Sequence, residues 1–185
     1  AAQPLGDMPI KIIPPAVRDI GELYAAVRRC AKQFEAKGIR FGAVIVDYLQ
    51  LLRASQAKSR FEIITEISIA SKQMAISLGV PVIALSQLSR AVEQREDKRP
   101  VMSDLRESGQ LEQDADLILF CYREEYYLQQ ERPEKDDHEA MLEWSASLAR
   151  AGGWLAIIVA TQRMGETGGA RVRFDENYNS IRGQA

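Results

Sequence analysis

Ile20, Leu23, Val27, Ala31 and Phe34 recur at three- and four-residue steps, the spacing that gathers apolar side chains on one face of a helix. Asp19 and Glu22 ahead of them have the capping-box spacing that satisfies free amides at a helix start. The same period over Arg60 to Leu78 sets Phe61, Ile64, Ile67, Met74 and Leu78 on one side, and Gly79 and Pro81 stop that helix. A third helix is predicted from Asp136 to Ala151, capped by Asp136 and Glu139 and ended by Gly152-Gly153. Between these stretches lie unbroken apolar runs. Ile10 to Ile13, closed by Pro14 and Pro15, reads as a short strand; Phe41 to Val46, Val80 to Leu85, Leu117 to Tyr122 and Leu155 to Ala160 read as longer ones. Runs without alternation fit strands buried on both faces, as in a parallel sheet. Ala170 to Phe174 and a segment near Ile181 follow a Gly-rich turn and predict a C-terminal β-hairpin.

Strands alternating with helices argue for an α/β fold built on a mostly parallel sheet flanked by helices. No internal repeat is visible, and 185 residues suit a single domain. In such sheets, ligands sit beyond the carboxyl ends of the strands. The polar residues delivered there are Asp47, then Ser86 with Gln87, then Thr161 with Arg163.

Composition narrows the function class. With 46% hydrophobic and 27% charged residues, the chain is neither a disordered tail, a collagen-like repeat nor a disulfide mini-protein. The formal charge of −2 lacks the basic excess of a protein that coats nucleic acid, so any such site is a local patch or is assembled from several copies. No run approaches the ~18 apolar residues of a membrane helix, and there is no signal peptide. A soluble, cytoplasmic protein of a reducing compartment is expected, with Cys30 and Cys121 as small buried side chains. His138, the one histidine, sits in an acidic segment, which excludes a Cys–His zinc site and a nucleophile–His constellation. The opening AAQPLGDMP lacks an initiator Met, which fits an excised piece of a longer protein.

The chemistry-bearing segments are individually ambiguous. Val44-Ile45-Val46-Asp47 puts one carboxylate at a strand tip, where nucleotide hydrolases hold Mg²⁺, usually through water; a carboxylate merely capping a strand has the same pattern. The polar stretch Ser89 to Arg106 holds Arg90, Arg95, Lys98, Arg99 and Arg106 against Glu93, Glu96, Asp97 and Asp104. On charge alone it is a solvated surface loop or a phosphate-contacting one. It has no aromatic residue for stacking, so any contact to a nucleic acid would be to the backbone. Tyr126-Tyr127 read as packed or exposed side chains before they read as a base platform, and Trp144 reads as a packing anchor.

Taken in order, the set is more specific. Asp47-Tyr48-Leu49-Gln50-Leu51 is followed by Val80 to Arg90 with Ser86-Gln87, then Glu93-Gln94-Arg95 with Asp97-Lys98-Arg99-Pro100. Ser103-Asp104-Leu105-Arg106-Glu107-Ser108-Gly109, Glu112-Gln113-Asp114-Ala115-Asp116 and Gln162-Arg163 with Gly165 and Gly168 complete it. The series resembles the RecA-like ATPase domain of the DnaB-type hexameric replicative DNA helicases over roughly residues 8 to 183. The resemblance implies an enzyme that couples hydrolysis of ATP with Mg²⁺ to translocation on single-stranded DNA and unwinding of duplex. It implies a homo-hexamer, with a primase and a helicase loader as further partners. By position, Asp47 matches the Walker B aspartate that holds Mg²⁺ through water, and Gln87 the glutamine that senses the γ-phosphate. Arg163 matches the finger that reaches a neighbouring subunit's ATP site. Arg106, Glu107 and Gly109 match the loop that lines the central channel and contacts the strand's phosphates.

The chain departs from that pattern in three ways. No GxxxxGK[ST] phosphate loop occurs, nor the strand before it or the catalytic glutamate after it. Thr161 stands in the nucleotide-binding position where the family has a lysine, two residues before the finger arginine. Gln129 to Gly153 looks like an insertion carrying its own helix within a partial RecA-like domain that spans the whole chain. The expectation is the C-terminal part of a helicase motor, ATPase-inactive by itself. The alternatives are an inactive P-loop-less module for subunit assembly and single-strand binding, and, less favoured by the Arg106 to Asp114 segment, a recombinase- or clock-type RecA-like ATPase. In RecA-like sheets the P-loop strand separates the strand ending at Gln87 from Leu117 to Tyr122. Its absence predicts that these two strands pair directly or through another chain, since an open gap leaves exposed ladders beside apolar side chains.

Overall fold

The computed structural model describes residues 8–54, 57, 59–105 and 109–182, which fall into two compact units interleaved along the chain. The first takes in residues up to Ser89 together with Leu105–Ala115; the second takes in Arg90–Asp104 and everything from Asp116 onward.

In the first unit, α1 (Ile20–Glu35) starts where Asp19 Oδ1 accepts hydrogen bonds from the Gly21 and Glu22 amides at 2.9 and 3.2 Å. Such a cap supplies acceptors for donors that the helix itself cannot satisfy. α2 (Arg60–Leu78) opens on a complete capping box between Ser59 and Glu62 and ends on Gly79 at φ 65°. β1 (Val44–Val46) and β2 (Val82–Ala84) are parallel, with Val44 opposite Val82 and Val46 opposite Ala84. α2 is the connection between them, as a parallel pair requires. Ile20, Leu23, Val27, Val44, Val46, Leu49, Ile67 and Met74 form the core of this unit, and α3 (Gly109–Asp114) is tied to it where Ser68 Oγ donates to Asp114 at 2.7 Å.

Several expectations need correction here. β1 is not buried on both faces: Val44 and Val46 point into the core while Ile45 is 69% exposed. Phe61, in the first turn of α2, is 55% exposed and off the core-facing side that Ile64, Ile67 and Met74 make. Ile10 to Ile13 is irregular and pairs with no strand among the described residues, because the prolines behind it end the run before a ladder partner is reached.

The second unit corrects the sheet type. β3 (Leu117–Tyr122), β4 (Trp154–Gln162), β5 (Gly168–Asp175) and β6 (Ser180–Arg182) form an antiparallel sheet in that order, with a bulge between Ile118 and Leu119. Among the described residues the sheets are therefore mostly antiparallel, and the parallel part is confined to β1 and β2. The short turns β4–β5 and β5–β6 leave no room for a crossover, so those pairs must be antiparallel. The C-terminal hairpin is present, with Phe174 opposite Ile181. β2 and β3 do not pair with each other: β2 pairs with β1 and β3 with β4, each within its own unit. Ile83, Leu85, Leu117 and Leu119 are open to solvent, whereas Val82 is half-buried and Ile118 buried.

Between β3 and β4 lie α4 (Glu124–Gln130) and α5 (His138–Ala151), joined where Trp144 Nε1 donates to Leu128 O at 2.6 Å. That makes Trp144 a packing anchor. The α5 cap is Asp137, which accepts from Ala140 N at 3.0 Å, and not its neighbour Asp136. Cys121 is exposed and Cys30 half-buried, so neither is the small core residue expected.

Gly79, like Gly38 and Gly153, has a left-handed φ that favours glycine. A Cβ there would touch nothing within 4 Å, so the obstacle is φ alone. Gly79→Ala should cost about 1 kcal/mol of stability through the left-handed conformation. Gly42, equally uncrowded and without a positive φ, should accept Ala with no loss. Urea denaturation of both variants checks this; equal losses would show that φ is not the cause.

Candidate functional site

Asp47 follows β1 directly, its carboxylate exposed, and the Asp47–Tyr48 peptide bond is cis. The chain then makes a short 3₁₀ turn, Leu49–Leu51, whose Leu49 is sunk in the core. On the neighbouring strand, Leu85 is held on both sides: its amide donates to Val46 O at 2.9 Å and its carbonyl accepts from Leu49 N at 2.9 Å. The β1–β2 register therefore brings the tip bearing Asp47 beside the tip bearing Ser86 and Gln87.

Gln50 completes the arrangement; it stands within the Asp47 to Leu51 segment, but the sequence assigns it no role. Its Oε1 accepts from Gln87 N at 3.2 Å, and its Nε2 donates to Ser86 Oγ at 2.9 Å and to Gln87 O at 3.5 Å. One carboxamide thus matches a donor and an acceptor of the Gln87 backbone, which leaves the exposed Gln87 side chain aimed outward from a fixed base. The available signal is a lone polar residue between two leucines, of which Leu49 is buried and Leu51 exposed.

The other pair of predicted residues belongs to the second unit. Thr161, opposite Ile118, donates weakly to Met102 Sδ at 3.8 Å. Arg163 lies just past the end of β4, where its amide donates to Asp116 O at 3.0 Å and its guanidinium lies 3.7 Å from the Asp116 carboxylate. Both side chains of that ion pair are substantially exposed. A surface pair of this kind holds weakly and yields to a stronger anion. Arg106 and Glu107 lie outside the described residues; Gly109 is the exposed first residue of α3.

Among the described residues no group of three or more His, Cys, Asp or Glu side chains could hold a metal ion. One exposed carboxylate at Asp47 still suits Mg²⁺, which keeps several waters and takes its other ligands from nucleotide phosphates. No helix among the described residues is long and apolar enough to cross a membrane.

The cations of residues 90–104 are partly committed elsewhere. Lys98 pairs with Glu131 and lies 5.7 Å from the Tyr127 ring centre; Arg99 lies 5.7 Å from that of Tyr122. The hydrogen bond to Glu131 raises the Lys98 pKa above its ordinary value. Burial, with the Tyr127 hydroxyl donating to Glu93 at 3.1 Å, pushes the Tyr127 phenol up to about 12. Tyr122 and Tyr127 stack, and Tyr126 meets Tyr127 edge-on, so these tyrosines pack against their surroundings.

Comparison with known proteins places this geometry. Residues 1–182 match the DnaB-like helicase C terminal domain family. The chain is 45% identical over 161 residues to the replicative DNA helicase DnaB of Rickettsia bellii (strain RML369-C), covering 85% of this chain and 32% of that protein. It is 41% identical over 169 residues to the replicative DNA helicase DnaB of Geobacillus stearothermophilus, covering 90% of this chain and 32% of that one. It thus spans about a third of the length of these curated relatives. A solved structure of an isolated ATPase domain superposes with a TM-score of 0.73 at 38% identity, over 91% of this chain and 52% of that one. A DnaB-like replicative helicase studied with its interactions with primase gives 0.73 at 37% identity, over 91% and 35%. The α/β fold is similar to the RecA-like ATPase domain of these helicases. The chain belongs to the DnaB-like helicase C-terminal domain family.

Proposed function

We propose that this chain is the C-terminal part of a replicative DNA helicase motor, one that couples ATP hydrolysis to movement along single-stranded DNA and separation of the duplex. The observation that carries the reading is the pairing of the Asp47 and Gln87 strand tips through Gln50. In this reading Asp47 holds Mg²⁺ through water beside the β- and γ-phosphates. Gln87, on the adjacent tip, contacts the γ-phosphate and senses its loss. Arg163 exchanges Asp116 for the phosphates of a neighbouring subunit's nucleotide, where a guanidinium stabilises charge developing on the transferred group. Thr161 approaches the same nucleotide without supplying a cation. Arg106, Glu107 and Gly109 contact the phosphate backbone of the strand. The relatives' names support a replicative DNA helicase and the neighbour studied with primase supports a primase partner; a hexameric ring on single-stranded DNA and a loader follow from the family resemblance.

A second reading has its own support: no phosphate loop occurs in the 185 residues. On it, the chain is an inactive module that assembles and binds single-stranded DNA. Both readings expect the isolated chain to lack ATPase activity, because the backbone amides and lysine that bind a triphosphate are missing. A steady-state assay should show background rates only; turnover on the order of 1 s⁻¹ would reject this.

The readings separate in the longest protein that carries this chain. If that protein is a ring motor, Arg163→Ala should lower hydrolysis ~10³-fold while nucleotide binding stays intact. Parallel loss of binding and turnover would assign Arg163 a structural role. Gln50→Ala in the same protein should reduce turnover about tenfold through misplacement of Gln87, again with nucleotide affinity kept. Nucleotide titration and single-turnover measurements distinguish the two effects.

A further inference from the structure

Register fixes what stands on one face of the antiparallel sheet. Tyr122 of β3 and Arg171 of β5 both lie opposite Ala156 of β4, and Arg173 lies opposite Trp154. Side chains alternate between the faces of a strand, so Tyr122, Trp154, Ala156, Arg171 and Arg173 share one face. Over β3 this face is occupied: the Tyr127 ring stacks on Tyr122, and Arg99 lies 5.7 Å from the Tyr122 ring centre. Over β5 it is open, with Arg171 and Arg173 both exposed. Their guanidiniums lie over the half-buried Trp154 ring, 5.1 and 4.1 Å from its centre.

Other cations of this unit end on carboxylates. Arg95 forks onto the buried Asp104, Nη1 to Oδ1 and Nη2 to Oδ2, both at 2.9 Å; Lys98 pairs with Glu131, and Arg163 lies beside Asp116. Arg171 and Arg173 form no ion pair among the described residues. Arg173 lines a cavity of about 370 Å³ together with Glu125, Asp175 and Glu176, yet each of these carboxylates has another partner. Glu125 accepts from Gly153 N at 3.0 Å, Asp175 accepts from Asn177 N at 3.1 Å, and Glu176 lies 3.3 Å from Arg123.

A guanidinium held through its attraction to an aromatic face keeps its N–H donors free for a second partner. The ring also restricts two long side chains before any ligand arrives, so less entropy is lost on binding. Residues two apart on a strand stand ~6.8 Å apart, a step close to that between successive phosphates of an extended nucleic-acid strand. An extended peptide matches that step only if it is acidic at every second residue, whereas a nucleic acid matches it at every nucleotide. With Trp154 lying under the guanidiniums, the contact is to phosphates and carries no base preference.

We infer that Arg171 and Arg173, held over Trp154, form a further contact surface for single-stranded DNA, one that takes two successive phosphates of the backbone. The inference rests on the reading of the chain as part of a DNA motor, and the surface is separate from the contact that reading gives to Arg106, Glu107 and Gly109.

The experiment is a fluorescence-anisotropy titration of labelled oligothymidine with the 185-residue chain over a range of salt concentrations. Arg171→Ala and Arg173→Ala should each weaken binding about tenfold at ~50 mM salt and lower the slope of log K against log salt by ~0.7, the loss of one phosphate contact to a single strand. Arg29→Ala, which removes the same charge from an exposed position of α1, should change neither. Trp154→Leu should weaken binding several-fold at an unchanged slope, since both cations remain but are no longer held. If that variant does not fold, Arg171→Lys combined with Arg173→Lys decides: the slope should stay, and affinity should fall several-fold because an ammonium cannot fork onto a phosphate. Wild-type affinity in whichever of these is measured would overturn the part given to the ring and the guanidiniums. Full binding by the Arg171→Ala, Arg173→Ala double variant would overturn the inference and leave DNA binding to residues 106–109. Equal losses in Arg29→Ala would overturn it as a general charge effect. Polyglutamate that displaces the label as readily as unlabelled oligothymidine, at equal charge, would overturn it in favour of an acidic protein segment. A wild-type chain that does not bind oligothymidine also overturns it, whereas the motor reading is judged by Arg163→Ala in the longer protein.

Discussion

The parallel ladder between β1 and β2 holds the strand tip that bears Asp47 beside the tip that bears Gln87. Leu85 is pinned from both sides by Val46 O and Leu49 N, so the two strand tips cannot slide independently. A one-residue slip would also turn every side chain of β2 to the other face. The ladder is short, three residues on each strand, and depends on what backs it. α2 supplies the backing by burying Ile67 and Met74 completely against the β1 side chains, in a core where each lost methylene is felt. Asp47, Gln50 and Gln87 can thus remain exposed or half-buried while the backbone under them stays fixed.

Much of this was legible along the chain, and the reasons for success and failure differ by element. α1, α2 and β3 were placed nearly to the residue because a helix period, a cap and a glycine stop, or an unbroken apolar run, are local signals. Asp47, Gln87 and Arg163 were legible as polar residues that end such runs. The antiparallel β3–β6 sheet was misread because α4 and α5 stand between β3 and β4 and imitate a crossover. Burial of both faces of β1 is expected from its unbroken apolar run, but Ile45 shows that such a run need not be covered. Gln50 and the Arg95–Asp104 fork were illegible for another reason. Each depends on a partner set by the fold, and a polar residue waiting for such a partner looks the same as one facing water.

Several cations of the second unit are satisfied by carboxylates of the same unit. Arg95 is engaged by Asp104, Lys98 by Glu131, and Arg163 by Asp116. These pairs differ in how readily they open. Asp104 is buried and its fork is bidentate, whereas Asp116 and Arg163 meet at 3.7 Å in solvent. The first suits a fixed strut and the second a group that changes partners, so a local charge close to balance conceals residues with different duties.

The interleaving of the two units has a consequence for synthesis. The chain leaves the first unit after Ser89, returns at Leu105 and departs again after Ala115. A ribosome adding roughly 5–20 residues per second therefore releases most of the α1–α2 core seconds before α3 arrives to dock on Ser68. During that interval Asp114 is not there to accept from the Ser68 hydroxyl, and residues 90–104 emerge before the β3–β4 sheet of their own unit. A single cut cannot part the two units: residues 1–115 carry all of the first and residues 90–185 all of the second, and these stretches overlap from 90 to 115.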